Sequence, residues 1–194
     1  MRAVILSLLL FIIVLKGYSQ HTNIPLSMSY NSNINKAIYT SNNNTHTSFK
    51  PIIRSNLNFS IDSIIERNRD TDNWWIRKTF YEHLIVIDGD NYKLTVSPII
   101  NTVIGKQFLD SRNLFTNSRG YLINGDLGKT ISFSTSFKEN QAVFPNYIDT
   151  YIRENKIVPG QGYARSFKDK GFDYAMSSGY VTYRKNDMFA FQFG

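Results

Sequence analysis

Two alternating runs around a long loop constrain this chain more than any other feature. The first is Ile131-Ser-Phe133-Ser-Thr135-Ser-Phe137, and the second extends from Ala175 to Tyr183. Residues i and i+2 of a strand share a face, so each run predicts a strand whose two faces meet different surroundings. The stretch between them, Lys138 to Phe172, is rich in Asn, Pro, Gly and Lys. Ile148 to Glu154 fits one or two helical turns, whereas Val158-Pro159-Gly160-Gln161-Gly162 does not. Alternation alone leaves open whether the apolar face meets a core or lipid.

Further strands flank this pair. Tyr92, Leu94 and Val96 alternate with Lys93, Thr95 and Ser97. Pro98 then implies an edge, a bulge or a strand end, with Ile99 to Ile104 continuing beyond it. Residues 105–117 read as polar loop and Gly120 to Ile123 as strand. Asn124 to Gly128 reads as a tight turn with glycine at positive φ. After the turn at Arg184 to Asp187, Phe189, Phe191 and Phe193 alternate with Ala190 and Gln192. Counting Leu84 to Ile87 as a short extra strand, the total still falls below the roughly eight that a closed membrane barrel needs. The chain stops in mid-strand at Gly194, which reads as a fragment of a longer protein.

The start of the chain reads as a leader. Arg2 precedes an apolar run from Ala3 to Leu15, and Gly17 and Ser19 stand where cleavage after Ser19 needs small residues. The run is shorter than the roughly 20 residues of a membrane-spanning helix. Residues 20–49, with Asn42-Asn43-Asn44, read as a flexible lead-in. Residues 50–91 read as a helical segment. Pro51 suits a first turn, Ile52, Ile53, Leu57, Ile61, Ile64 and Ile65 recur near helical spacing, and Asn73 is placed to cap a helix from Trp74 to His83. Trp74, Trp75, Phe80 and Tyr81 read either as a packed aromatic cluster or as an interfacial element.

Composition narrows the chemistry. Aromatic residues make up 14% of the 194, which favours sheet. With no cysteine, disulfides, thiolate metal sites and a Cys nucleophile are excluded. The formal charge of +7 falls to about +5 once Arg2 and Lys16 are set aside; this suits contact with anionic lipid or polysaccharide. It does not by itself indicate nucleic acid, and no nucleic-acid module is recognisable.

No catalytic, cofactor or metal residue is expected. His21, His46 and His83 lack metal-ligand spacing and a nucleophile in motif context. Pairs such as Glu139 with Asp149, or Asp169 with Asp173, are too loosely placed by sequence to be read as acid and base. Asp88-Gly89-Asp90-Asn91 lacks the twelve-residue calcium spacing and reads as a turn. The long loop instead mixes cations with rings. Tyr147, Tyr151, Arg153, Lys156, Tyr163, Arg165, Phe167 and Lys168 form a candidate ligand-binding surface for an acidic glycan, through charge and ring stacking.

Three phrases carry a resemblance: Phe137 to Tyr147, Ile152 to Gly162, and Phe167 to Tyr180. Over residues 50–194 the chain resembles outer-membrane β-barrel proteins of Bacteroidota of the gliding-motility or capsule-assembly (Wzi-like) type. The resemblance implies a mainly β chain with a small N-terminal helical part. Residues 92–194 would then supply the strands of an incomplete antiparallel barrel in the outer membrane. It also implies a structural role in gliding, secretion-linked or capsule assembly, without catalysis. Partners would be outer-membrane lipid, surface polysaccharide or motility and secretion machinery. Alternating long and short loops fit such a barrel as well. The alternative is a periplasmic or secreted binding module that takes acidic glycans on the basic-aromatic segment 147–174.

Overall fold

A computed structural model describes residues 21–40, 51–57, 59, 61–64, 71–186 and 188–194. The leader at 1–19, residues 41–49 of the lead-in, and His46, Ile65, Arg67 and Arg69 lie outside them. The described helices are α1 (Met28–Thr40), α2 (Ile61–Ile64), α3 (Trp74–Phe80) and α4 (Asn146–Asn155). The strands are β1 (Ile85–Asp88), β2 (Tyr92–Gln107), β3 (Arg112–Leu127), β4 (Ile131–Val143), β5 (Ile157–Val158), β6 (Gly162–Phe167), β7 (Gly171–Arg184) and β8 (Ala190–Phe193). Their order in the sheet is β1-β2-β3-β4-β7-β6-β5, and β8 pairs with β7.

The sheet is open, and this corrects the barrel expectation. The path ends in β1 and β5, which are not neighbours, so it does not return on itself. A barrel needs its first and last strands to pair. Here β7 pairs with β6 through Gly171–Tyr174 and with β8 through Val181–Arg184. The loop parity that suggested a barrel also dissolves. The supposed loop at 105–117 is the end of β2, a turn at 108–111 and the start of β3. The supposed loop at 138–172 holds the end of β4, then α4, β5 and β6. The resemblance to Wzi-like barrels, the outer-membrane location, the lipid and machinery partners, and the gliding or capsule-assembly role all required barrel architecture, which the open sheet lacks. They are withdrawn with the barrel. Separately, no described helix is long and apolar enough to cross a membrane.

The chain divides into two compact units. Unit 1 comprises Met1–Thr95, Asn124–Ser134 and Tyr180–Gly194. Its core joins Ile34 and Ile38, four apart on one face of α1, to Ile24, Ile52 and Ile61. A helix thus occupies much of the stretch read as lead-in. Ile24 N–H donates to the Ile52 carbonyl (2.8 Å), and Asn23 N–H donates to the Tyr180 hydroxyl (2.8 Å). His21 is buried, with its backbone N–H on Ser132 Oγ (2.9 Å) and its ring nitrogens on Ser55 Oγ (2.8 Å) and the Lys129 carbonyl (3.2 Å). The expected cap holds: Asn73 Oδ1 accepts from the N–H groups of Trp75 (3.0 Å) and Ile76 (3.3 Å). No residue of α3 is buried, however, and Trp75 is 73% exposed, so Trp74 and Trp75 pack edge to face outside the core.

Unit 2 comprises Val96–Ile123 and Thr135–Gly179. Its core is built from even-numbered strand residues: Ala142 of β4, Ala164 of β6, and Phe172 and Tyr174 of β7, with Val158 of β5. Ile148 and Ile152 of α4, four apart, pack on this set. The odd-numbered residues of β4, β6 and β7 therefore project from the opposite face. Gly120 lets β3 approach β4 closely, since a Cβ there would lie 1.9 Å from the Phe137 carbonyl oxygen.

Two substitutions test this packing. Ile152→Ala should destabilise the protein by about 3 kcal/mol, as expected for a fully buried aliphatic side chain. Gly120→Ala should cost about 2 kcal/mol or more, because backbone must move to admit the methyl group. Thermal or urea denaturation monitored by circular dichroism measures both.

Candidate functional site

The odd face of unit 2 carries the site. Tyr163 and Arg165 alternate with buried Ala164 on β6, and both are exposed. On β7, Asp173 is the register partner of Arg165. Further across the face, Arg119 Nε donates to Glu139 Oε2 at 3.2 Å. Together with Asn140, Gln141, Tyr174 and Ala175, these residues line an open groove of about 440 Å³. Tyr121 and Phe137, whose ring centroids are 5.8 Å apart, form a second aromatic surface in unit 2.

The two arginines of the groove differ in availability. Arg119 is compensated by Glu139, although both are more than half exposed and the pair contributes little stability. Arg165 has no hydrogen bond or ion pair among the described residues, even though Asp173 faces it in register. A guanidinium without an ion-pair partner, next to an exposed phenol ring, can receive a carboxylate or sulfate while the ring takes an apolar face.

The eight residues expected to form one surface are dispersed. Tyr163 and Arg165 meet in the groove. Tyr147 and Tyr151 stand exposed on α4, which covers the even face, so they cannot join them. Arg153 lies over the Phe172 ring, 5.2 Å from its centroid, also on the even side. Lys156 ends α4 in the left-handed conformation (φ 59°). Lys168 folds over the Phe167 ring at 5.1 Å, at the turn into β7. Conversely, Arg119, Glu139 and Gln141 belong to the groove and were not anticipated. Their signal was present in the odd-position register of β3 and β4, but it is readable only when strand pairing is known.

A second polar centre lies on the helix side of unit 2. Asp149, in the first turn of α4, is buried. Its Oδ1 accepts from Arg112 Nη2 (2.7 Å) and Arg153 Nη2 (3.3 Å), and its Oδ2 accepts from Arg153 Nε (2.6 Å). Burial alone would raise the Asp149 carboxyl above its ordinary range. The hydrogen bonds from Arg153 and Arg112 outweigh that, and the net direction is down. Arg112 also donates from Nη1 to Asn146 Oδ1 (2.6 Å) and from Nη2 to the Lys170 carbonyl (3.2 Å). The Asn146 amide donates to Asp110, which also accepts from Gln107. The Tyr174 hydroxyl, buried and held by Gln161, is pushed above the ordinary phenol range. Among the described residues no group of His, Asp and Glu is arranged to hold a metal ion.

Comparison with known proteins assigns no family. No family model matches the chain, and no solved structure matches it. A phenylalanine–tRNA ligase beta subunit of Methanosphaera stadtmanae is 26% identical over 123 residues, covering 62% of this chain. The chain spans only 22% of that protein's length.

The Asp149 network makes stability depend on pH with a definite sign. Because the folded carboxyl titrates below its unfolded value of about 3.9, its contribution is present above that value. It is lost as pH falls through the folded one. Asp149→Asn, which leaves two arginines without their carboxylate, should therefore destabilise the protein by about 3 kcal/mol at pH 7. The difference between the two proteins should shrink below pH 4 in parallel urea melts.

Proposed function

We propose that unit 2 is a binding module for an acidic glycan. The observation that carries this reading is the placement of Tyr163 beside Arg165, which has no ion-pair partner among the described residues, on the exposed face of β6 inside an open groove. Sugars present C–H faces that stack on aromatic rings, hydroxyl groups that hydrogen-bond to amides and carboxylates, and, when acidic, an oxyanion that a guanidinium binds. Tyr163 supplies the ring, Gln141 and Glu139 the hydrogen-bonding groups, and Arg165 the charge. The groove is open rather than enclosed, which suits a segment of an extended polymer. The module binds without catalysis in this reading. Both oxygens of Asp149 are occupied by arginines, and Glu139 is paired with Arg119.

Affinity electrophoresis and calorimetry with polygalacturonate, alginate and a neutral dextran test the proposal. Binding to the acidic polymers and not to dextran is the expected result. Tyr163→Ala and Arg165→Ala should each weaken it about tenfold, near 1.4 kcal/mol. Tyr147→Ala and Tyr151→Ala, on the other side of the sheet, should leave it unchanged. Equal affinity for dextran would overturn the charge requirement. Preferential binding of single-stranded RNA at matched ionic strength would replace the glycan with a different class of ligand.

A further inference from the structure

The helix side of unit 2 holds a second cavity, of about 480 Å³, that the glycan reading does not use. Three cationic side chains line it: Arg112 from β3, Arg153 from α4 and Lys170 from the turn before β7. Asp110 is the one carboxylate in the lining, and Asp149 anchors both guanidiniums from outside that lining. Three positive charges thus face two negative ones.

Donors also exceed acceptors here. Both Asp149 oxygens are already taken by the arginines. Asp110 Oδ2 already accepts from Asn146 and Gln107. Among the described residues, the Lys170 ammonium is exposed and has neither ion pair nor hydrogen bond, and Arg112 Nε is buried without a hydrogen-bond partner. A buried donor left unpaired costs on the order of 1–3 kcal/mol, and more when it is charged.

The guanidiniums are also fixed in place before any ligand arrives. Arg112 is held through Asn146, Asp149 and the Lys170 carbonyl, with its side chain 15% exposed. Arg153 is held between Asp149 and the Phe172 ring. A site whose donors are already oriented loses little entropy on binding, and guanidiniums match the geometry of oxygen anions.

We propose that this cavity is an oxyanion-binding site, built by Arg112, Arg153 and Lys170, that takes a sulfate, phosphate or carboxylate group. The site is separate from the groove on the odd face and does not depend on what the groove binds. The ligand's oxygens supply acceptors for Arg112 and the Lys170 ammonium, and Arg153 adds its charge.

The test is a titration of the full chain, enriched in nitrogen-15, with sodium sulfate, sodium phosphate or sodium acetate against sodium chloride at matched ionic strength. The Nε–Hε resonances of Arg112 and Arg153 are the readout. A saturable shift with an oxyanion and none with chloride is the expected result. Lys170→Gln, which removes an ammonium with no partner, should weaken the affinity at least threefold while leaving the melting temperature unchanged. Arg153→Lys should weaken it further, and Tyr163→Ala in the groove should not alter it. If sulfate and phosphate saturate and acetate does not, the group is tetrahedral; if acetate saturates equally, it is a carboxylate. Shifts that chloride reproduces, the absence of saturation with every oxyanion, or a Lys170→Gln protein that binds as tightly as wild type would each overturn the proposal. Should Arg153→Lys fail to fold, Lys170→Gln decides alone.

Discussion

Unit 2 depends on one carboxylate. Asp149 receives Arg112 from β3 and Arg153 from its own helix, and Arg112 in turn holds Asn146 and the Lys170 carbonyl. This network fixes the start of α4 against the start of β3 and the turn before β7. Apolar packing by Ile148 and Ile152 supplies the attraction between helix and sheet. It is non-directional, however, and would tolerate the helix sliding along the strands. A buried charge cluster adds little net stability, because desolvation cancels most of the Coulomb gain. Its contribution here is position. With α4 fixed over the even face, the odd face of the same strands leaves Tyr163 and Arg165 exposed.

The division of faces explains how far the sequence could be read. The alternation at Ile131 to Phe137 and at Ala175 to Tyr183 located β4 and β7, and the helical turns near Ile148 to Glu154 fell within α4. The Asn73 cap was legible because it is local: the side chain and the two N–H groups it serves lie within three residues. Asp149, by contrast, stood out only as a loosely placed companion of Glu139. Its partner Arg112 is 37 residues away, and nothing in the spacing of either residue announces the contact. The groove was half legible for the same reason. Tyr163 and Arg165 are neighbours on one strand, whereas Arg119 and Glu139 reach them only through the order β3-β4-β7-β6.

The basic-aromatic segment illustrates a limit of compositional reasoning. Eight residues of suitable type lay within about twenty positions, and sequence proximity suggested one surface. Helix and strand then sorted them by direction. On α4, Tyr147 and Tyr151 share an exposed stripe because they are four apart, while Ile148 and Ile152 point inward. On β6, Tyr163 and Arg165 share a face because they are two apart, and Ala164 between them points inward. The barrel expectation failed through a related confusion. Strand alternation and unequal connections are properties that an open sheet also has, and closure depends on edge pairing, which alternation does not encode.

The pairing of Arg165 with Asp173 bears most directly on the groove. Directly opposed residues on antiparallel strands bring their Cβ atoms to about 5 Å, so distance does not prevent an ion pair. Arg119 and Glu139 do close, at 3.2 Å, on the same face. On an exposed sheet such a pair is worth under about 1 kcal/mol, so leaving it open costs the fold little. In the proposed reading the same guanidinium gains more from an oxyanion whose sugar ring also stacks on Tyr163, because two contacts then share one loss of translational freedom. Asp173 beside it repels an anionic ligand placed directly over β7. That repulsion favours a ligand oxyanion on the β6 side of Arg165, next to Tyr163, where ring and charge act together.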